Sequence, residues 1–70
     1  MDNPTYKQIL LTGSSEDSIE EAVNNAVRKA AKTVRKMRWL EVTEIRGSID
    51  GNQVNQWQVN IKVGFRLEDD

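Results

Sequence analysis

Hydrophobic and polar positions alternate along the last third of the chain. In residues 53–67 (QVNQWQVNIKVGFRL), Trp57, Val59, Ile61, Val63, Phe65 and Leu67 point one way, and Gln56, Gln58, Asn60, Lys62, Gly64 and Arg66 the other. A period of two is that of a half-buried strand. Residues 39–48 (WLEVTEIRGS) read as another strand, and residues 5–12 (TYKQILLT) as a short first one that Gly13 breaks. Between these two the period changes. Ile19, Ala22, Val23, Ala26, Val27, Ala30, Val34 and Met37 recur at steps of three and four, which marks one face of a helix. Ser14 and Ser15 both suit its N-cap, with Asp17 three residues beyond Ser14. Glu16, Asp17, Glu20 and Glu21 load the first turns, and Lys29, Lys32, Arg35 and Lys36 complement the negative end of the dipole. A helix over residues 15–36 is predicted. Its alanine-rich face allows close approach to a sheet.

The order is therefore strand, helix, strand, strand. Asp50-Gly51 reads as a two-residue hairpin turn. That turn sets Val42 opposite Val59 and Leu40 opposite Ile61 on one face, and Thr43 opposite Gln58 and Trp39 opposite Lys62 on the other. The first and second strands run the same way and the third runs back, so the third can lie between them. One helix covers one face of such a sheet. The other face carries Trp39, Ile45, Gln58, Asn60 and Lys62, and nothing in the chain remains to cover it. The fold class is α+β, as a single domain over residues 1–70.

Composition narrows the chemistry. A chain of 70 residues buries a modest core, and natural domains of that size add disulfides, a metal or oligomerisation. There is no Cys and no His, which removes disulfides, zinc sites and Cys or His nucleophiles. A hard-cation site or an acid/base pair of carboxylates survives, and oligomerisation becomes the expected source of stability. The net charge of −1 does not predict nucleic-acid binding. No apolar run reaches the ~20 residues that span a bilayer, and MDNPTYKQ lacks a basic region followed by an apolar one. No membrane partner and a cytoplasmic location are expected.

Trp39, on the uncovered face, is either an aromatic packed into a subunit interface or a stacking platform for a flat conjugated ligand. Gln58, on the same face, is either a solvated strand residue or a donor–acceptor pair for the edge of a heterocycle. Glu41 and Glu44 read as strand surface groups, and Glu68-Asp69-Asp70 as a solvated terminus. Thr12-Gly13-Ser14-Ser15 opens a helix without the Lys of a phosphate-binding loop.

Several pieces in order resemble the dodecins nearly from end to end. They are Thr12-Gly13-Ser14-Ser15-Glu16, the run WLEVTEIRG from Trp39 to Gly47, Trp57-Gln58-Val59, and Val63-Gly64-Phe65. The resemblance implies a β-α-β-β fold whose three-stranded antiparallel sheet partly wraps one helix. It also implies twelve subunits in a hollow shell, with flavins in pairs between subunits. In the family a tryptophan matching Trp39 stacks on the flavin, a glutamine matching Gln58 hydrogen-bonds its ring, and an arginine matching Arg46 reaches it in bacterial members. FMN is the favoured flavin, with riboflavin or FAD as alternatives. The implied function is flavin storage and quenching of flavin photochemistry in a homododecamer, not enzymatic catalysis. Some members bind coenzyme A at a separate basic surface. Residues 28–38 hold six of the ten cations. These either complement the helix dipole or form a phosphate or coenzyme A site from Lys29, Lys32 and Arg66, joined by Lys7. This chain has Trp57 where Tyr is common and Arg38 where an acid is common. The alternative is a structural or interaction oligomer that binds coenzyme A or a metal ion instead of flavin. A flavin reductase would need an NADH site, and no dinucleotide fingerprint is present.

Overall fold

The strand with the cleanest alternation is the one on which the other elements pack. In the computed structural model, which describes residues 3–68, the elements are β1 (Tyr6–Ser15), α1 (Ile19–Ala30), β2 (Met37–Asp50) and β3 (Gln53–Arg66). Asp69 and Asp70 of the expected acidic terminus lie outside the described residues. The strand order is β1-β3-β2, both pairings are antiparallel, and α1 packs on one face against β1 and β3. This is the α+β arrangement the alternation predicted, with β3 in the middle. Val59, Ile61 and Val63 of β3 are buried with Ala22 of α1, and Ile9, Leu11, Val23, Ala26, Val27 and Met37 pack around them.

Gly13 does not end the first strand. β1 runs on to Ser15, with Gly13 opposite Val59. A Cβ at Gly13 would collide with the Ala22 carbonyl oxygen and lie 2.9 Å from the Ala26 Cβ. The glycine is there because α1 crosses β1 at that point, which is a recognised use of glycine inside a strand.

The helix is shorter than its periodic pattern. Its N-cap is Ser18, whose side chain accepts from the Glu21 N–H, not Ser14 or Ser15. Ser15 instead ends β1, and its hydroxyl accepts from the Asp17 and Ser18 amides. At the other end a turn follows Ala30, and Lys36 takes a left-handed φ of 60°. Its carbonyl accepts from Arg66 N at 3.0 Å, and Met37 is already opposite Phe65. Pairing with β3 therefore outweighs the helical propensity of residues 31–36. Only Arg28 and Lys29 lie in the last helical turn, so Lys32, Arg35 and Lys36 are not on the helix the pattern implied.

The hairpin turn also differs. Asp50 pairs with Gln53, and the two turn residues are Gly51 and Asn52, with φ of 60° and 65°. Both central residues of a type I′ turn need positive φ, which Gly and Asn tolerate best. The observed register sets Val42 opposite Ile61, Leu40 opposite Val63 and Trp39 opposite Gly64, and an extra residue at Asn55 on β3 puts Arg46 opposite Gln58. The register shifts near Arg38, Thr43 and Asn55. The shift at Thr43 moves Ile45 opposite Val59, onto the helix side, where simple alternation had put it on the other face.

β2 and β3 extend past the helix as a long hairpin. The molecule measures 56 × 21 × 14 Å with a radius of gyration of 14.7 Å, against about 11 Å for a compact domain of this length. α1 leaves β2 almost uncovered. Leu40, Val42 and Ile45 remain 42–49% exposed on the helix side, and Ile49 near the hairpin tip 74%. Among the described residues, no helix is long and apolar enough to cross a membrane.

Candidate ligand-binding face

Residues paired across an antiparallel ladder project to the same face. The face turned away from α1 therefore carries Tyr6, Leu10 and Thr12 from β1, Gln58, Asn60, Lys62 and Gly64 from β3, and Trp39, Glu41, Glu44 and Arg46 from β2. Two groups stand out, one toward each end.

The first is built on Trp39. The shift in register at Arg38 is what brings Trp39 to this face. Met37 pairs with Phe65 on the helix side, and without the extra residue Trp39 would follow it there, opposite Val63. The indole lies face down on Gly64. Its atoms Cζ2, Cε2 and Cη2 all crowd the position a Cβ on Gly64 would take, the farthest of them at 2.6 Å. Tyr6 stands against the indole edge-on, with ring centroids 4.9 Å apart and an interplanar angle of 65°. Trp39 is 41% exposed, so one face of the indole is seated on the sheet and the other is open.

The second group is a polar network. Arg46 Nε donates to Gln58 Oε1 at 2.8 Å, and Arg46 Nη1 to Glu44 Oε1 at 2.8 Å. Gln58 Nε2 donates to Gln56 Oε1 at 3.1 Å, Asn60 Nδ2 to Glu44 Oε1 at 2.9 Å, and Thr12 Oγ1 to Asn60 Oδ1 at 2.8 Å. Gln58 thus has both ends of its amide engaged by exposed or half-buried side chains, which a ligand edge can replace. The Arg46–Glu44 pair is open to solvent and adds little stability. It joins the guanidinium that meets Gln58 to the Glu44 carboxylate.

Trp39 and Gln58 share the face but not the place. Trp39 sits opposite Gly64, six positions along β3 from Gln58, or roughly 20 Å at the rise of a strand. Arg46 and Gln58 are together; Trp39 is apart from both. Of the basic residues, Lys29 borders a hollow with Thr12, Gly13, Ser14, Asn25 and Ala26. Arg66 borders another with Thr33, Val34, Arg35, Leu67 and Glu68. Lys7 pairs with Phe65 on the helix side, and Lys32 lies in the turn after α1. Neither hollow gathers more than one of the four. Among the described residues, no three His, Cys, Asp or Glu side chains are grouped to hold a metal ion.

Tyr6 and Gly64 carried no ligand-site role in the sequence pattern, and Glu44 read there only as a strand surface group. The edge-on ring and the ion pair depend on register. Gly64 had a readable signal, being a glycine within a strand of otherwise large residues.

Strand order, central β3 and the single helix on one face define a small β-α-β-β sheet protein with one open face. The family model for Dodecin matches residues 5–68. A dodecin of Thermus thermophilus is 47% identical over 64 residues, which cover 91% of this chain and 93% of that protein. The structure of dodecin from Streptomyces coelicolor is similar at a TM-score of 0.94 with 48% identity, over the full length of both chains. A more distant likeness is the calcium-chelating antigen calcium dodecin of Mycobacterium tuberculosis. It has a TM-score of 0.80 and 28% identity, covers 91% of each chain, and is described as having a novel calcium-binding site. The chain belongs to the dodecin family.

Proposed function

We propose that this protein binds flavin without transforming it, holding FMN, or riboflavin or FAD, on Trp39 between subunits of a homododecamer. The observation that carries this reading is the indole seated on Gly64 with its opposite face open. A planar ring system is what such a surface accepts. Stacked on an excited flavin, an indole donates an electron and takes it back, so the excitation is lost before photochemistry follows. That needs no general acid or base, in keeping with a chain that has no His or Cys.

The separation of Trp39 from Gln58 and Arg46 supports a shared site. No single subunit brings all three to one ring, so the polar edge contacts on a flavin stacked at Trp39 come from another copy. Gln58 offers both donor and acceptor to the ring edge, and Arg46 has donors beyond those it gives Gln58 and Glu44.

Fluorescence titration tests this. Flavin emission should fall on binding to the unsubstituted protein. Trp39→Ala should weaken affinity by about tenfold or more, the lost stacking adding to the lost buried area, and leave whatever flavin still binds bright. Quenching unchanged in Trp39→Ala would sink the stacking role. Gln58→Ala should weaken all flavins several-fold alike, as loss of about 0.5–1.5 kcal/mol does. If Arg46 meets the phosphate, Arg46→Ala weakens FMN more than riboflavin, and the gap narrows with added salt. If it meets the ring, both weaken equally.

A further inference from the structure

We infer that Gly64, buttressed by Tyr6, is a positioning residue that sets the plane of the Trp39 indole and so decides which face of it a ligand meets. This rests on Trp39 being the stacking platform.

Gly64 is buried in the central strand, directly opposite Trp39. A glycine there has a cost, since it weakens a strand and packs nothing. Here the missing side chain is replaced by the indole. Three atoms of the six-membered ring converge on the Cβ position at similar range, which happens only when a ring lies flat above it. Any L side chain at position 64 must lift or turn the indole. Gly47, by contrast, lies opposite Trp57, and a Cβ there would meet its nearest atom, Val54 Cγ1, at 3.4 Å, an ordinary contact.

Tyr6 acts from the side. Its ring meets Trp39 at 65°, a wall standing on the floor that Gly64 provides. The wall limits sliding and tilting of the indole toward β1. Floor and wall together leave one indole face to receive a flat ring, and they fix the angle at which that ring stacks.

The decisive test needs no ligand. Gly64→Ala is made both in the unsubstituted protein and in Trp39→Ala, and thermal midpoints of the assembled protein are compared. If Gly64 exists to seat the indole, Gly64→Ala lowers the midpoint when Trp39 is present and raises it when Trp39 is absent, because alanine is then simply the better strand residue. Should Trp39→Ala fail to assemble, Trp39→Leu supplies the background, since a leucine has no ring to lay over position 64. An equal drop in both backgrounds overturns the inference and makes Gly64 a general feature of the strand or of assembly.

Flavin titration adds the second readout. Gly64→Ala should keep the oligomer intact, weaken FMN by up to about tenfold, and raise the residual fluorescence of bound FMN because the stacking angle has changed. Tyr6→Phe should behave as the unsubstituted protein, and Tyr6→Ala should shift residual fluorescence in the same direction as Gly64→Ala. Unaltered affinity and quenching in Gly64→Ala would overturn the positioning role. No binding of any flavin by the unsubstituted protein overturns the flavin reading alone, because the stability comparison still reports how the indole is seated.

Discussion

Gly13 and Gly47 both sit inside strands, yet their surroundings differ. At Gly13 the missing side chain is the room that lets the backbone of α1 cross β1, with the Ala22 carbonyl in the way of any Cβ. A backbone atom cannot rotate aside as a side chain can. Gly13→Ala should therefore lift the helix from the sheet and destabilise the protein by about 2 kcal/mol or more, as overpacking does. Gly47→Ala should change stability by less than about 0.5 kcal/mol, since the added methyl meets its neighbours at ordinary contact distances. Denaturant midpoints of the two variants check this. Similar losses in both would mean that the glycines serve backbone conformation and not the approach of the helix.

At the scale of one element, α1 is short enough to depend on its ends. Twelve residues make a marginal helix in isolation. Its stability comes from the apolar face on β1 and β3, and from how the first turn is held. Ser18 Oγ accepts from Glu21 N at 3.0 Å, while the buried Ser15 hydroxyl accepts from two amides and donates to Glu21 Oε1 at 2.7 Å. Two serines and one glutamate thus tie the end of β1 to the start of α1. Ser18→Ala should lower stability by about 1 kcal/mol, and Ser18→Asp should restore it. Ser14→Ala should be nearly silent, because what Ser14 offers α1 is its backbone carbonyl, which accepts from Asn25 Nδ2 and survives the substitution. A larger loss at Ser14 than at Ser18 would show that the helix begins earlier than described.

For the whole molecule, shape and surface argue against a lone subunit. Among the described residues, the buried hydrophobic core is four side chains. Leu10, Ile49 and Val54 are between 49% and 74% exposed, on a body much longer than it is wide. We propose that these apolar groups are covered by other copies of the chain. Sedimentation at micromolar concentration should show a single closed assembly of twelve chains, and its melting midpoint should rise with protein concentration. A well-folded monomer at that concentration would contradict the proposal, and with it the completion of the flavin site by a second subunit.

Much of this was legible in the chain itself. Period-two alternation in β3 and the three-four spacing of Ala22, Val23, Ala26 and Val27 are local properties, so they announce strand, helix and strand order without knowledge of contacts. Trp39 and Gln58 stood out for the same reason: both lie on the polar side of strands whose other side is apolar. The shared short motifs also carried the family. What the pattern could not supply was anything that depends on two segments meeting. The end of α1 was decided by the pairing of Met37 with Phe65, and the turn by which two residues best tolerate positive φ. The face of Ile45 was decided by an extra residue at Thr43, and the seat of Trp39 by the one at Arg38. Each shifts register, and alternation along one strand is blind to how many residues its partner offers. The roughly 20 Å between Trp39 and Gln58 likewise follows from register alone. Residue type had placed them on one face, but only the paired strands show that one subunit holds them apart.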